Sequence, residues 1–327
     1  MKLRSGKSLI SALIFLFYFI TTPPLAKGVA IKGATGIGSP ITAFSAETMD
    51  KGTWGLSQRS EYYRNQPFSN DTLISNLLAE SQTGTYFNYL MLNYGLSNSL
   101  TLGASLPYMY TSNLKAGQEN NLNIREVARL GNISGLSDLS FYALGQVLNN
   151  ESSPILLSLI LGLTVPTGKT NSLDTTSSLF STSDQSGSGA LSSINGLIFS
   201  KEWNSLEVSF NLTYTQNTKG SQQTILGSVW NYNLAAVYEF YKQEQKSRSL
   251  DGILELNGAI ASEDTINGFK DVNSGGQSVF LLTGIRNNFN AVASIYLGLT
   301  LPLIERYHGA QLHTTYGLIS GIDISLG

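Results

Sequence analysis

The sequence predicts an all-β protein: a transmembrane, antiparallel, up-and-down β-barrel of about 12 strands, with a short N-terminal segment and one short loop helix. Three observations carry this expectation. Beyond residue 53, apolar side chains recur with period two, the repeat of a strand with one wet and one dry face. The connections alternate between short and long, as they do between the two rims of a membrane barrel. Only 13% of residues are charged and mean hydropathy is zero, yet no apolar run after residue 30 reaches the roughly 20 residues of a spanning helix.

The chain opens with Lys2, Arg4 and Lys7 ahead of the apolar stretch Leu9 to Ile20, the charge and length pattern of a secretory signal peptide. Pro23 and Pro24 stop a helix; cleavage is expected after Ala26, with the small-x-small Gly28-Val29-Ala30 as the other option. An uncleaved anchor helix competes, but the apolar stretch is short for a bilayer. Residues 1–26 are therefore assigned to the signal peptide, 27–52 to a periplasmic or lumenal segment, and 53–327 to a barrel in a bacterial outer membrane.

Strands are expected at 53–64, 84–95, 99–110, 135–147, 154–166, 187–200, 204–216, 227–241, 250–261, 275–287, 290–302 and 312–326. In the third, Leu100, Leu102, Ala104, Leu106, Tyr108 and Tyr110 alternate with Thr101, Gly103 and Ser105. In the seventh, Leu206, Val208, Phe210, Leu212 and Tyr214 alternate with Glu207, Ser209, Asn211 and Thr213. Trp230, Tyr232, Leu234, Ala236, Tyr238 and Phe240 share a face of the eighth, and Ala293 to Leu301 keeps the rhythm in the eleventh. The last strand carries His313, Thr315, Asp323 and Ser325 on its polar face. The faces of 84–95, 187–200 and 275–287 stay open by one register.

Ser97-Asn98, Glu202-Trp203 and Asn288-Phe289 read as tight turns, whereas 66–83, 111–134, 167–186, 217–226 and 262–274 read as long polar connections. Residues 70–80 break the period and predict a short helix capped by Asn70 or Asp71. The segments 111–124 and 167–188 read as mobile. Tyr62, Tyr63, Tyr86, Phe87, Tyr89, Tyr108, Tyr110, Trp230, Tyr232, Tyr238, Phe240 and Tyr241 lie toward strand ends, where rings suit the headgroup level. A soluble sandwich is the rival reading; long strands and low charge count against it.

Six charged residues fall on polar strand faces: Arg59, Glu61, Glu207, Glu239, Glu255 and Arg286. A charge facing lipid near the midplane costs roughly 2–4 kcal/mol, so these side chains are expected to line the lumen. There they either pair between strands or tune the passage of a solute, Arg59 and Glu61 foremost.

A net charge of −2 gives no basic face for nucleic acid. The absence of cysteine removes disulfides, thiolate metal sites, thiol nucleophiles and a lipoprotein anchor. Val165-Pro166-Thr167-Gly168-Lys169-Thr170 imitates the end of a phosphate loop, but Leu163 stands where the first glycine is required. His313 with Ser320 or Asp323 suggests a hydrolytic site, yet Asp323 lies about 33 Å along the same strand. Asp71, Asp264 and Asp271 lack calcium-loop spacing and read as solvated. No catalytic residue, cofactor or metal is implied.

Pro40-Ile41-Thr42, then Ser45-Ala46-Glu47-Thr48-Met49-Asp50-Lys51-Gly52-Thr53-Trp54, then Arg59-Ser60-Glu61-Tyr62 resembles the opening segment of the outer-membrane transporter-like family named for the MetA pathway of phenol degradation. Gly135-Leu136-Ser137-Asp138-Leu139, with Gly162-Leu163-Thr164-Val165-Pro166-Thr167-Gly168-Lys169, is similar to that family's paired strands and closing Pro-Thr-Gly turn. The resemblance implies a barrel that admits small solutes, hydrophobic or aromatic ones included. Asp323-Ile324-Ser325-Leu326-Gly327 departs from the aromatic ending usual in outer-membrane barrels. The expected function is passive or facilitated passage of such solutes, gated by residues 31–52 or the first loop. The expected partners are outer-membrane lipids, the barrel assembly machinery and a small-molecule solute. A surface protein whose loops bind a partner and a barrel hydrolase are the alternatives.

Overall fold

The computed structural model describes residues 39–119, 122–150, 155–243, 247–290 and 292–327; the expected signal peptide and its cleavage site lie outside them. Twelve strands form the barrel: β1 (Trp54–Gln66), β2 (Gly84–Ser97), β3 (Leu100–Glu119), β4 in two runs (Arg125–Leu136 and Leu139–Asn150), β5 (Ile155–Val165) and β6 (Ser192–Trp203). They continue as β7 (Leu206–Asn217), β8 (Val229–Gln243), β9 (Arg248–Ala261), β10 (Gly276–Asn288), β11 (Ala293–Tyr307) and β12 (His313–Leu326). Neighbours in sequence pair antiparallel, and β1 pairs with β12 from Trp54 opposite Leu326 to Gln66 opposite His313. That last ladder closes the sheet; among the described residues, the first run of β4 keeps one side without a strand partner.

The two faces of the barrel invert the polarity of a soluble protein. Leu159, Leu161, Leu163, Leu197, Phe199, Leu254, Leu256, Leu297 and Leu299 are exposed on the outside, while Thr101, Ser158, Ser200, Ser209, Asn211, Glu255 and Ser294 are buried within. Only hydrocarbon makes that arrangement favourable, and a closed sheet satisfies every ladder hydrogen bond there. Rings mark the two rims. Trp54 stacks on Tyr94 at 4.5 Å near the short-turn rim, and Tyr214 on Trp230 at 4.6 Å toward the long-loop rim. On β9, the rings of Phe240 and Tyr232 lie over Gly252 and Gly258, where a Cβ would come within 2.2 and 2.1 Å. Leu254 and Leu256 sit between these rings, at mid-height of the apolar band.

Several expectations need correction. The connection 111–134 is largely strand: β3 and β4 continue as a hairpin, Glu119 opposite Arg125, bent by register shifts at Thr111 and Leu114. Those bulges broke the alternation that would have revealed it. The segment 167–188 is held by its own hydrogen bonds rather than free: Gln185 Nε2 donates to Ser172 and Phe180 carbonyls, both at 3.1 Å, and Phe180 packs with Leu114 and Ile133. The sixth strand starts at Ser192, not 187, and its turn to β7 falls after Trp203. The helix α1 spans Asn70–Ser75 only, and its cap is Ser69, whose extended backbone lets Oγ accept the Thr72 N–H at 3.1 Å. The registers left open are fixed by pairing: Tyr89 lies opposite Arg59, Ser200 opposite Leu156, and Arg286 opposite Asp251. Tyr63, Phe87 and Tyr89 therefore share the inward face with Arg59 and Glu61 and do not belong to a lipid-facing belt.

Candidate functional site

Before it enters β1, the chain lies inside its own barrel. Residues 39–53 form a strap around the inner wall in the short-turn half, hydrogen-bonding in turn to β10, β9, β7, β6, β5, β4, β3 and β2, with Arg59 of β1 reaching it at Ile41. The Pro40 carbonyl accepts from Arg286 Nη2 at 3.3 Å, and the Ile41 carbonyl from Arg59 Nη1 at 3.1 Å. The amides of Ile41, Thr42 and Ala43 all donate to the Glu255 carboxylate, joined by the Thr42 hydroxyl. Asn211 reads the next peptide from both sides, accepting from Phe44 N at 2.6 Å and donating to Phe44 O at 2.7 Å. Ser45 Oγ donates to Glu207 at 2.8 Å, Ala46 N to Ser200 Oγ at 2.9 Å and Met49 N to Thr101 Oγ1 at 2.8 Å. Gly52 N then donates to Gly95 O at 2.8 Å and the chain turns into β1.

Apolar strap residues fill recesses left by small wall residues. Ile41 packs with Val237, Ile253, Leu282, Tyr296 and Ile319, its methyl lying over Gly284 and Gly298; Ala46 packs with Leu144, Ile160 and Ile198, beside Phe44 and Tyr142. The dimensions make the strap decisive. Twelve strands about 4.8 Å apart and tilted by about 40° give a backbone radius of roughly 12 Å. Inward side chains about 5 Å deep leave roughly 7 Å, and an extended chain around that wall takes up most of the remainder.

All six candidate lumen residues point inward, and most are committed to the strap. Arg59 pairs with Glu61 at 2.7 Å, lies 4.8 Å from the Tyr89 ring centre and donates to the strap. Glu61 also accepts from Tyr63 Oη at 3.0 Å. Arg286 pairs with Asp323 and bonds Ser294 Oγ at 2.9 Å, its guanidinium 4.5 Å from the Tyr296 ring centre. Glu207 and Glu255 hold the strap directly, whereas Glu239 sits at the short-turn rim, 3.8 Å from Lys242. Sequence reasoning overlooked Asp251, which the parity of Glu255 predicts, and set Asp323 on the polar face of the last strand without counting it among the lumen charges. It also missed the serine and asparagine contacts, because neutral polar residues fill every inward face and nothing singles out Ser200 or Asn211.

At the opposite rim, the two halves of the second family resemblance, residues 135–139 and 162–169, meet. Asp138, at the break in β4, accepts from Gly168 N, Ser188 N and Ser188 Oγ at 2.8, 2.8 and 2.6 Å. Gly168 crosses Gly187 so closely that a Cβ on it would lie 2.6 Å from the Gly187 Cα. The Pro-Thr-Gly turn is thus a joint that ties the loop 167–190 over the side of β4 that has no strand partner. Nearby, Glu80 is crowded by acids. Although Glu80 as a whole keeps an exposed surface, desolvation of its carboxyl among the rim loops, then the hydrogen bond and charge of Asp184 and the charge of Asp271, push it up to about 9. Asp264 and Asp271 are not simply solvated, since Asp264 accepts from Gly227 N at 2.7 Å and both line a polar cavity of about 360 Å³ with Asn217, Asn273, Ser274 and Gln311.

The imagined hydrolytic site does not assemble. His313 Nδ1 faces Glu305 at 3.3 Å, Asp323 is engaged by Arg286, and Ser320 is exposed on the outer face. Among the described residues, no group of three or more His, Cys, Asp or Glu side chains is placed to hold a metal ion.

Fold and site together define a twelve-stranded transmembrane barrel whose lumen is occupied by its own N-terminal strap. No protein-family profile and no curated protein sequence matches the chain. Among solved structures, it is similar to an outer membrane channel from Pseudomonas putida F1, with a TM-score of 0.63 and 14% identity over 86% of this chain and 98% of the other. Looser likenesses include the NanC porin (TM-score 0.48, 7% identity, 83% and 100% covered) and the CymD monoaromatic hydrocarbon channel (TM-score 0.43, 10% identity, 92% and 98% covered). The first establishes the fold class as that of outer-membrane channels; the other two are too loose to argue from.

Proposed function

We propose that the chain is a bacterial outer-membrane channel, exported by its signal segment 1–26, which passes small uncharged solutes with apolar or aromatic bodies when the strap moves aside. The observation that carries this reading is the disposition of charge in the lumen. Arg59, Glu207, Glu255 and Arg286 are bound to the strap, and Glu61 and Asp323 to those arginines. The lumen beyond the strap is lined by Phe87 and Met109 on β2 and β3 and, across it, by Thr215, Asn231, Asn233 and Phe280 on β7, β8 and β10, all half-buried. Rings and a thioether interspersed with amides and a hydroxyl suit an uncharged amphipathic molecule better than an ion. The resemblance to the family named for the MetA pathway points the same way, and the short-turn rim with the strap then faces the periplasm.

Proteoliposomes test this by comparing uptake of a phenolic or alkyl-aromatic dye with the conductance of simple salts. The proposal expects dye uptake well above that of protein-free vesicles and small ionic currents, with both rising when residues 40–50 are replaced by glycine and serine. A chain that passes no dye with the strap either intact or replaced is not a channel of this kind.

A further inference from the structure

We infer that Glu255 is the latch of the strap: the positioning residue that sets how often the lumen opens, through a clamp that reads the backbone of residues 40–43. This rests on the reading that the strap moves, but its test does not require a solute to pass.

The clamp is built from charge on opposing sides of one short peptide stretch. From β9, the fully buried Glu255 accepts the N–H groups of Ile41, Thr42 and Ala43 and the Thr42 hydroxyl, with Asn257 Nδ2 adding a bond at 3.2 Å. From β1 and β10, Arg59 and Arg286 donate to the carbonyls of Ile41 and Pro40. The arginines keep Glu61 and Asp323 as counter-charges whether or not the strap is present. Glu255 differs: among the described residues, Asn257 is the one wall side chain bonded to it, and its other donors come from the strap. Three successive N–H groups converging on one carboxylate form a concave anion site, and charge-assisted bonds of this kind are about twice as strong as neutral ones. Further toward β1, the strap bonds the neutral groups of Asn211, Ser200 and Thr101, and Ser45 donates its hydroxyl to Glu207. Opening is costly at Glu255, where a buried anion would have to exchange a whole set of partners for water.

The chain has no cysteine, so a single introduced thiol reports strap release without background. Ser45 is fully buried, and Ser45→Cys is close to isosteric. In that background, reaction with a water-soluble maleimide is measured on barrels whose folding is verified by heat-modifiable gel mobility. Glu255→Gln is expected to speed labelling by at least about a hundredfold, Glu255→Asp by less, and Ser200→Ala by no more than about tenfold. Thr42→Pro, which removes an amide and a hydroxyl from the strap and leaves the wall intact, should reproduce the Glu255→Gln rate. The assignment is overturned if folded Glu255→Gln labels no faster than Ser200→Ala, or if Thr42→Pro leaves the rate unchanged. Fast labelling in Glu255→Gln with no dye uptake would retain the latch and reject the channel.

Discussion

Replacing Leu254 by arginine tests the placement of the membrane. Leu254 is 52% exposed and stands on β9 between the rings covering Gly252 and Gly258, one residue from the lumenal Glu255. In water, an exposed leucine could become arginine at almost no cost. At the midplane of a bilayer the same charge costs about 2–4 kcal/mol, which is roughly a 30- to 900-fold shift in the folding equilibrium. Leu122 provides the control, since it is 77% exposed in the turn between β3 and β4, at the end of a hairpin that extends past the apolar band. Leu122→Arg is expected to change stability by no more than about 0.5 kcal/mol. Guanidinium unfolding in lipid bilayers, followed by fluorescence of the outward Trp54 and Trp230, measures both. Equal costs at the two sites, or a neutral Leu254→Arg, would refute the argument that the apolar face of β9 lies in hydrocarbon.

Two further perturbations concern the long-loop rim. Asp138→Ala removes three hydrogen bonds to Gly168 and Ser188 and should lower the local stability of the loop 167–190 by about 2–3 kcal/mol, seen as faster proteolytic nicking there while the barrel stays intact. Glu80 carries a carboxyl raised from 4.5 to about 9, so its contribution to rim packing is complete below about pH 4.5 and declines as pH rises toward 9. Hydrogen exchange around residues 78–82 should therefore quicken more than its intrinsic rate as pH rises across that window; Glu80→Gln should flatten the trend and slow exchange at pH 7. A wild-type rim that tightens with rising pH would contradict this sign.

The barrel was legible in the sequence because each strand repeats its argument. Leu206, Val208, Phe210 and Leu212 state the lipid face as plainly as Glu207, Ser209 and Asn211 state the lumen, and a register error of one would bury every charge in hydrocarbon. The hairpin of β3 and β4 was hidden where bulges at Thr111 and Leu114 broke the period. The strap was not legible as structure, since Pro40 to Thr53 has no repeat and is recognised mainly through its own peptide groups, which any sequence possesses. Its signature lay elsewhere: Glu207 and Glu255 point inward from separate strands, Glu207 directly opposite Glu202 and Glu255 opposite Leu282 and Ala235. An inward carboxylate set directly opposite an acid or an apolar residue invites donors from elsewhere, and here the strap supplies some of them.

The account rests on the strap moving for a solute to pass, and a reversible tether tests that directly. Ala46 N now donates to Ser200 Oγ at 2.9 Å, so Ala46→Cys with Ser200→Cys, joined by a short reducible linker, fixes the strap to β6 in an otherwise cysteine-free chain. Uptake of an aromatic dye into proteoliposomes should fall to the protein-free rate when the linker is closed and return when it is reduced. Unchanged uptake through the tethered barrel would show that solutes pass beside a stationary strap and would contradict the account.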